Sequence, residues 1–396
     1  LDRDFLLRKN NIFNNSGFIL EWNNERSDKS KDDNKKGVNL LTCYKKETGL
    51  GESCRLTAKA LGAADINFKV KGFEDLNSNL WTYENIDQLI YNTNIFHVNP
   101  KETPYVHKWL GKAFCKERYN IGYWYWELMD FPDEWIKAFD YLDEVWTSSK
   151  FTLNSIKEKS PVPVKLIPPC IKVDSIGKVT RKDFNLPQDV FLFLTMYDSW
   201  SYKIRKNPQG AIDSFKAAFS PDDMSVGLVI KINNANSNPG EVNNLIKSLK
   251  GYKNIYLIKE ILSRSDVNAL ISMCDCFVSL HRSEGFGLAM AESMYLGLPV
   301  IATNWSGNLD FMNHENSCLV DYELVKIGKD LGPYKAYQTW AKPDNVHCAY
   351  SMKELILNRN YYDKIAQNGK ETIRSLYSPE RIGKMIKDRL EDLKLL

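Results

Sequence analysis

Long apolar runs are missing from this chain. Runs such as Val190–Leu194 fall far short of the ~18 residues a membrane-spanning helix needs, and the mean hydropathy is −0.41. The five histidines contain no H-E-x-x-H, so that route to a catalytic metal has no support. Of eight cysteines only Cys274 and Cys276 lie close together, inside an apolar run and with no second pair at zinc-like spacing. They read as reduced core thiols of a cytoplasmic protein. An excess of one charge is also lacking. Lys and Arg number 53 against 50 Asp and Glu, too even for the basic field that non-specific nucleic-acid binding requires. With 21 Gly and 15 Pro, neither a fibrous nor a disordered composition fits. Leu1–Asn10 has no initiator Met and no charged-then-apolar order, so the chain reads as part of a longer protein.

What is present is 396 residues, 43% hydrophobic, enough for two or three domains. Residues 1–36 read as an appendage ending in the charged linker NNERSDKSKDDNKK. Residues 37–168 form a first unit, opened by the strand VNLLTCY, the glycine loop KKETGLGES and a helix that Gly62 stops near Leu61. The proline-punctuated PVPVKLIPP at 161–169 marks the boundary. Residues 169–376 alternate strands and helices, with Asn207 and Ser265 as expected N-caps. Such alternation implies parallel βαβ units, hence an α/β protein of two doubly wound, Rossmann-like domains facing a cleft. Residues 377–396 read as an amphipathic helix, with Ser378 as N-cap, Pro379 first, and Ile382, Ile386 and Leu390 on one face.

The chemistry concentrates in HRSEGFGLAMAESMYLGLPVIATNWSGNLDFM, residues 281–312, a polar loop between a buried strand and a helix. The helix LAMAESMYL is apolar on nearly every face, so Glu292 within it needs a partner; two adjacent sugar hydroxyls suit a carboxylate, the alternative being an internal Arg or Lys. Glu284 lies eight residues earlier, followed by Gly285, Phe286, Gly287 and Leu288. Those small residues let backbone N–H groups approach a phosphate at the positive end of the helix.

E-G-F-G-x-x-x-x-E followed by G-x-P-V-I-A-T resembles the retaining glycosyltransferases of family 4, of the bacterial polysaccharide and glycoconjugate type. Their fold is GT-B, two facing Rossmann-like domains. The likeness extends through NIGYWYWELMDFPDEW (120–135), EVWTSSKFT (144–152) and RKNPQGAIDSF (205–215). It implies a nucleotide-sugar donor as substrate, with Glu284 on sugar hydroxyls and Glu292 on the ribose. Arg205 and Lys231 would hold the diphosphate, and no metal would be needed. Gly49 and Gly51 would face the same diphosphate from the first domain. His281 is placed for donor contacts, and His97, ending a strand of the first domain, for reaching the sugar or acceptor. The acceptor would be a hydroxyl of a glycan, lipid-linked or protein-linked glycoconjugate. Peripheral association with the inner face of a membrane fits this reading, and nucleic acid does not.

Two other readings have footing. A GT-B partner subunit without activity would bind glycan or another transferase, but the full set of Glu284, Glu292 and Arg205 argues for catalysis. Gly49-Leu50-Gly51 followed by Glu74 or Asp75 suggests a nicotinamide dinucleotide site, but Cys54 replaces its third glycine.

Overall fold

The computed structural model describes residues 35–42, 48–72, 89–199 and 203–396. Residues 1–34 of the expected appendage and the acids Glu74 and Asp75 lie outside them. Two six-stranded parallel sheets build the protein. The first runs β2-β1-β3-β4-β5-β6, with β1 Val38–Thr42, β2 Phe68–Gly72, β3 Thr93–His97, β4 Tyr119–Trp124, β5 Glu144–Thr147 and β6 Val164–Leu166. The second runs β12-β11-β10-β7-β8-β9, with β7 Phe191–Asp198, β8 Val226–Asn233, β9 Ile255–Ile258, β10 Cys276–Ser279, β11 Val300–Thr303 and β12 Cys318–Val320. Both orders reverse direction next to the first strand of the unit, which places a crevice at the carboxyl ends of the strands. The two-domain Rossmann-like α/β fold expected from sequence is therefore present.

Local details differ from the sequence reading. The helix after β1 spans Gly49–Ala63, passing through Gly62, and its first turn already contains both loop glycines because Thr48 caps it. The helix after β9 begins at Arg264. Its N-cap is Ser263, whose backbone is extended and whose Oγ accepts from Asp266 N at 3.2 Å, so Ser265 is inside the first turn. The proline-rich boundary carries the edge strand β6, compatible with Pro163 because only one side of an edge strand pairs. An antiparallel ribbon, β13 Tyr322–Lys326 and β14 Thr339–Pro343, leaves the second domain and was not anticipated.

The terminal helix Pro379–Asp392 crosses back to the first domain. Gly383 lets it pack closely on the Gly49–Ala63 helix, where a Cβ would sit 2.3 Å from Ala60 O. Arg389 pairs with the fully buried Glu144 of β5 through Nε at 3.0 Å and Nη2. The two chain crossings between domains are bonded to each other, Ile171 N donating to Tyr377 O at 2.7 Å. All seven cysteines among the described residues are buried and unbridged, and no helix there is long and apolar enough to cross a membrane.

Candidate functional site

A cavity of about 490 Å³ lies between the two domains. From the second domain it is lined by Arg205, Lys206, Lys231, Arg264, the loop Glu284–Leu288 and Glu292. The first domain supplies the start of the Gly49–Ala63 helix, with Glu52 and Ser53, and the segment after β4, with Tyr125 and Glu127.

The E-G-F-G loop is held by backbone geometry. Gly287 caps the Leu288–Leu296 helix in the left-handed region, φ 100°, with no side chain bonding its first turn. That turn faces the cavity as a site of positive potential. The opposite wall of the loop is Ser306, a non-glycine residue at φ 80°, whose Oγ accepts from Glu284 N at 2.8 Å. A Cβ on the next residue, Gly307, would lie 2.1 Å from Gly285 O. Across the cleft, Gly285 O accepts three hydroxyls of the first domain: Ser149 at 2.6 Å, Thr152 at 3.2 Å and Ser148 at 3.3 Å. The T-S-S-K-F-T stretch noted in the sequence is thus the first domain's grip on this loop.

Charges are paired in two interdomain bridges. Arg205, 4% exposed, donates through Nη1 to Ser283 O at 2.8 Å and lies 3.3 Å from Glu284 Oε2. Its Nη2 is 3.4 Å from Glu127 Oε1 of the first domain, while Nε is buried with no hydrogen-bond partner among the described residues. Lys206 Nζ reaches Glu284 Oε1 at 2.5 Å. Burial alone would raise the Glu284 pKa, but Lys206, Arg205 and His281 outweigh it and hold the carboxyl at about 2. At the other end, Arg264 pairs through Nη2 with Glu292 Oε1, and its Nε lies 3.6 Å from Glu52 Oε1. Glu52 is also bonded by Arg55 Nε at 2.7 Å. Each glutamate of the motif therefore shares an arginine with a glutamate of the first domain. Glu292 has the internal partner that its apolar helix did not reveal. Arg264 and Glu52 were missed because nothing in their local sequence connects residues so distant in the chain, although Glu52 does sit in a glycine-flanked helix start.

Lys231 is buried near the end of β8, 4% exposed, and its Nζ donates to Ile232 O at 3.2 Å. Among the described residues no carboxylate lies within ion-pairing distance of it. Burial pushes its pKa down to about 8, against the weaker pull of Glu260 and Asp198. Such a cation favours an incoming anion.

The structure separates the remaining candidates. Gly49, Gly285, Phe286, Gly287 and Leu288 line the cavity, whereas Gly51 does not; its N–H donates to Thr48 Oγ1 at 3.3 Å. His281 lies behind the wall, bonded through Nε2 to Trp305 O and Asn308 Oδ1, both at 3.1 Å, so it supports the loop from beneath. His97 is fully buried, stacked on Tyr123 with centroids 4.3 Å apart, and burial lowers its pKa to about 3. It does not line the cavity; Tyr125 stands there instead. Tyr123, Trp124 and Trp126 are core residues whose polar atoms bond Ile167 O, Thr103 Oγ1 and Asp130 O.

Comparisons with known proteins bear on this cavity. Residues 198–323, which hold Arg205, Lys231, Glu284 and Glu292, match the family described as glycosyl transferases group 1. Over 94 residues the chain is 36% identical to glycosyltransferase 1 domain-containing protein 1 of Xenopus tropicalis, covering 23% of this chain and 26% of that protein. Over 134 residues it is 26% identical to the O-antigen biosynthesis glycosyltransferase WclY of Escherichia coli, covering 34% and 35%. The match thus spans about a quarter to a third of the length of these curated relatives. Among solved structures, Anabaena HepE in complex with UDP and glucose aligns with a TM-score of 0.63 at 14% identity, over 90% of this chain and all of that one. Sucrose-phosphate synthase from Thermosynechococcus elongatus gives 0.63 at 14%, over 90% and 99%. The fold is GT-B.

Proposed function

We propose that this protein is a glycosyltransferase that moves a sugar from a nucleoside diphosphate donor to a hydroxyl acceptor with retention of configuration, as in family 4. One observation carries the reading. The buried Lys231, the Arg205 guanidinium and the start of the Leu288–Leu296 helix, which no side chain caps among the described residues, line one interdomain cavity. Three donors of that kind suit a diphosphate, which gains negative charge as the glycosidic bond breaks.

In this reading Arg205 and Lys231 hold the diphosphate, joined by Lys206. Glu284 accepts from hydroxyls of the transferred sugar, and Glu292 from the ribose. Arg264 gives up part of its contact with Glu292 when the ribose arrives. The leaving phosphate takes the acceptor proton on the face from which it departs. The cations replace the metal that a diphosphate otherwise needs. The acceptor is a hydroxyl of a glycan or glycoconjugate, and a membrane-bound acceptor would bring the protein to a membrane face. HepE, solved with UDP and with UDP-glucose, and WclY, named for O-antigen biosynthesis, support this class of donor and acceptor.

The test is calorimetry with UDP, GDP and ADP, followed by a screen of the nucleotide sugars of whichever base binds, read as nucleotide release. Micromolar binding of one nucleotide and release dependent on an added acceptor are expected. Failure of all three to bind overturns the reading.

A further inference from the structure

Glu127 belongs to none of the assigned donor contacts, yet it is placed for chemistry. It lies just past β4, at the carboxyl end of a parallel strand, and lines the cavity from the first domain. Its main chain is fixed, because its O accepts from Ser283 Oγ next to Glu284. Its two carboxylate oxygens have separate partners. Oε1 is 3.4 Å from Arg205 Nη2, and Oε2 accepts from Tyr334 OH at 3.2 Å.

Tyr334 is brought in by the loop of the β13–β14 ribbon, which docks on the first domain through Gln338 Nε2 to Asp130 O, 2.9 Å, and through the Trp126 ring, 5.5 Å. Three segments therefore converge to orient one carboxylate. Glu127 and Glu284 flank a single guanidinium, one from each domain. A sugar held by Glu284 would thus have Glu127 beyond the shared guanidinium, on the first-domain side of the cavity.

Resting on the proposed transfer reaction, we infer that Glu127 is the acceptor-positioning residue, accepting a hydrogen bond from a hydroxyl of a sugar or similar polyol and aligning it on the anomeric carbon. Orientation is worth large factors when reacting atoms must meet at close range. Tyr334 fixes the carboxylate plane, and the ribbon carries acceptor selectivity with it. No bond to Glu127 forms or breaks, so the proton of the acceptor still leaves with the phosphate.

The experiment compares wild type with Glu127→Gln, Glu127→Asp and Tyr334→Phe. UDP affinity is measured by calorimetry. UDP release is measured from UDP-glucose, UDP-galactose and UDP-N-acetylglucosamine, with water and with methyl glycosides as acceptors. Glu127→Gln should bind UDP at least as tightly as wild type, since Arg205 loses a competing carboxylate, but should release UDP at least 30-fold more slowly. Glu127→Asp should recover part of that rate. Tyr334→Phe should raise the acceptor KM several-fold with little change in kcat. Wild-type release from Glu127→Gln overturns the inference, as does a parallel loss of UDP affinity, which would assign Glu127 to supporting Arg205. A wild-type protein that does not bind UDP, GDP or ADP overturns the proposed function instead.

Discussion

Arg264 and Glu52 face each other across the interdomain cleft, Nε to Oε1 at 3.6 Å, while the same guanidinium holds Glu292 from the other side. One arginine, a quarter exposed, thereby serves two carboxylates that are 6% and 4% exposed. Their electrostatics differ. Arg264, Arg55 and Lys59 overcome the burial of Glu52 and lower its pKa, whereas for Glu292 burial prevails over Arg264 and raises it.

Arg264→Ala should therefore cost stability, toward the lower end of the ~3–5 kcal/mol seen when one member of a buried pair is removed. Adding Glu292→Gln should return part of that loss, because the orphaned charge goes with it. Urea unfolding of wild type, both single variants and the double variant measures both. Additive losses would show that the pair does not act as a unit.

Nucleotide binding should take up protons near pH 8. Burial pushes the Lys231 pKa down to about 8 against the weaker pull of Glu260 and Asp198, and a diphosphate alongside it would restore the charged form. Calorimetry of UDP at pH 8 to 8.5, in buffers of different ionisation enthalpy, should show uptake approaching half a proton. Affinity should fall as pH rises further, and Lys231→Met should abolish the linkage. In the protein alone the sign is the reverse of a paired lysine. The folded pKa lies below the unfolded one, so this group adds stability as pH climbs from about 8 toward its usual value.

Glu284 and Arg205 should separate sugar from phosphate. Glu284→Ala frees Arg205 and Lys206 of a carboxylate, so UDP affinity should hold or rise while transfer falls. Arg205→Ala should weaken UDP and slow turnover by about 3 kcal/mol, the scale of losing one preorganised transition-state donor. Equal loss of UDP affinity in both variants would contradict the division.

Activity should persist in excess EDTA. The motivation is the set of cations proposed for the diphosphate, and that the sequence's one D-x-D, the pattern by which paired carboxylates could hold a metal, is Asp2-Arg3-Asp4, far in sequence from Arg205, Lys231 and Glu284. Loss on chelation, restored by Mg²⁺ or Mn²⁺, would show that the charge assignment is wrong.

Gly307→Ala should destabilise the loop, since its Cβ would meet the Gly285 carbonyl at 2.1 Å. Overpacking against backbone costs ~1–3 kcal/mol. Thermal unfolding should register it, together with slower turnover, because Glu284 and Gly285 share that contact.

The alternating pattern of strands and helices makes both sheets readable from sequence, and the apolar helix around Glu292 points to the cavity. Long-range pairing was not readable. Whether Arg264 or a ligand satisfies Glu292 depends on where the Arg264–Met273 helix lands, which local periodicity does not encode. His97 misled for a related reason. A histidine at the end of a strand reaches a cleft only if its neighbours leave it uncovered, and Tyr123 and Tyr125 cover this one. The ribbon was overlooked because its short strands carry polar, exposed residues such as Glu323 and Lys342.

The bond between Ile171 and Tyr377 has a mechanical meaning. The polypeptide passes between domains twice, and those passages lie side by side, so together they behave as a spine. Sliding one passage along the other would break that bond, so the two passages are coupled. Removing the helix Pro379–Asp392 would strip the Gly49–Ala63 helix of its packing partner, so a deletion late in the sequence would be felt in the first domain.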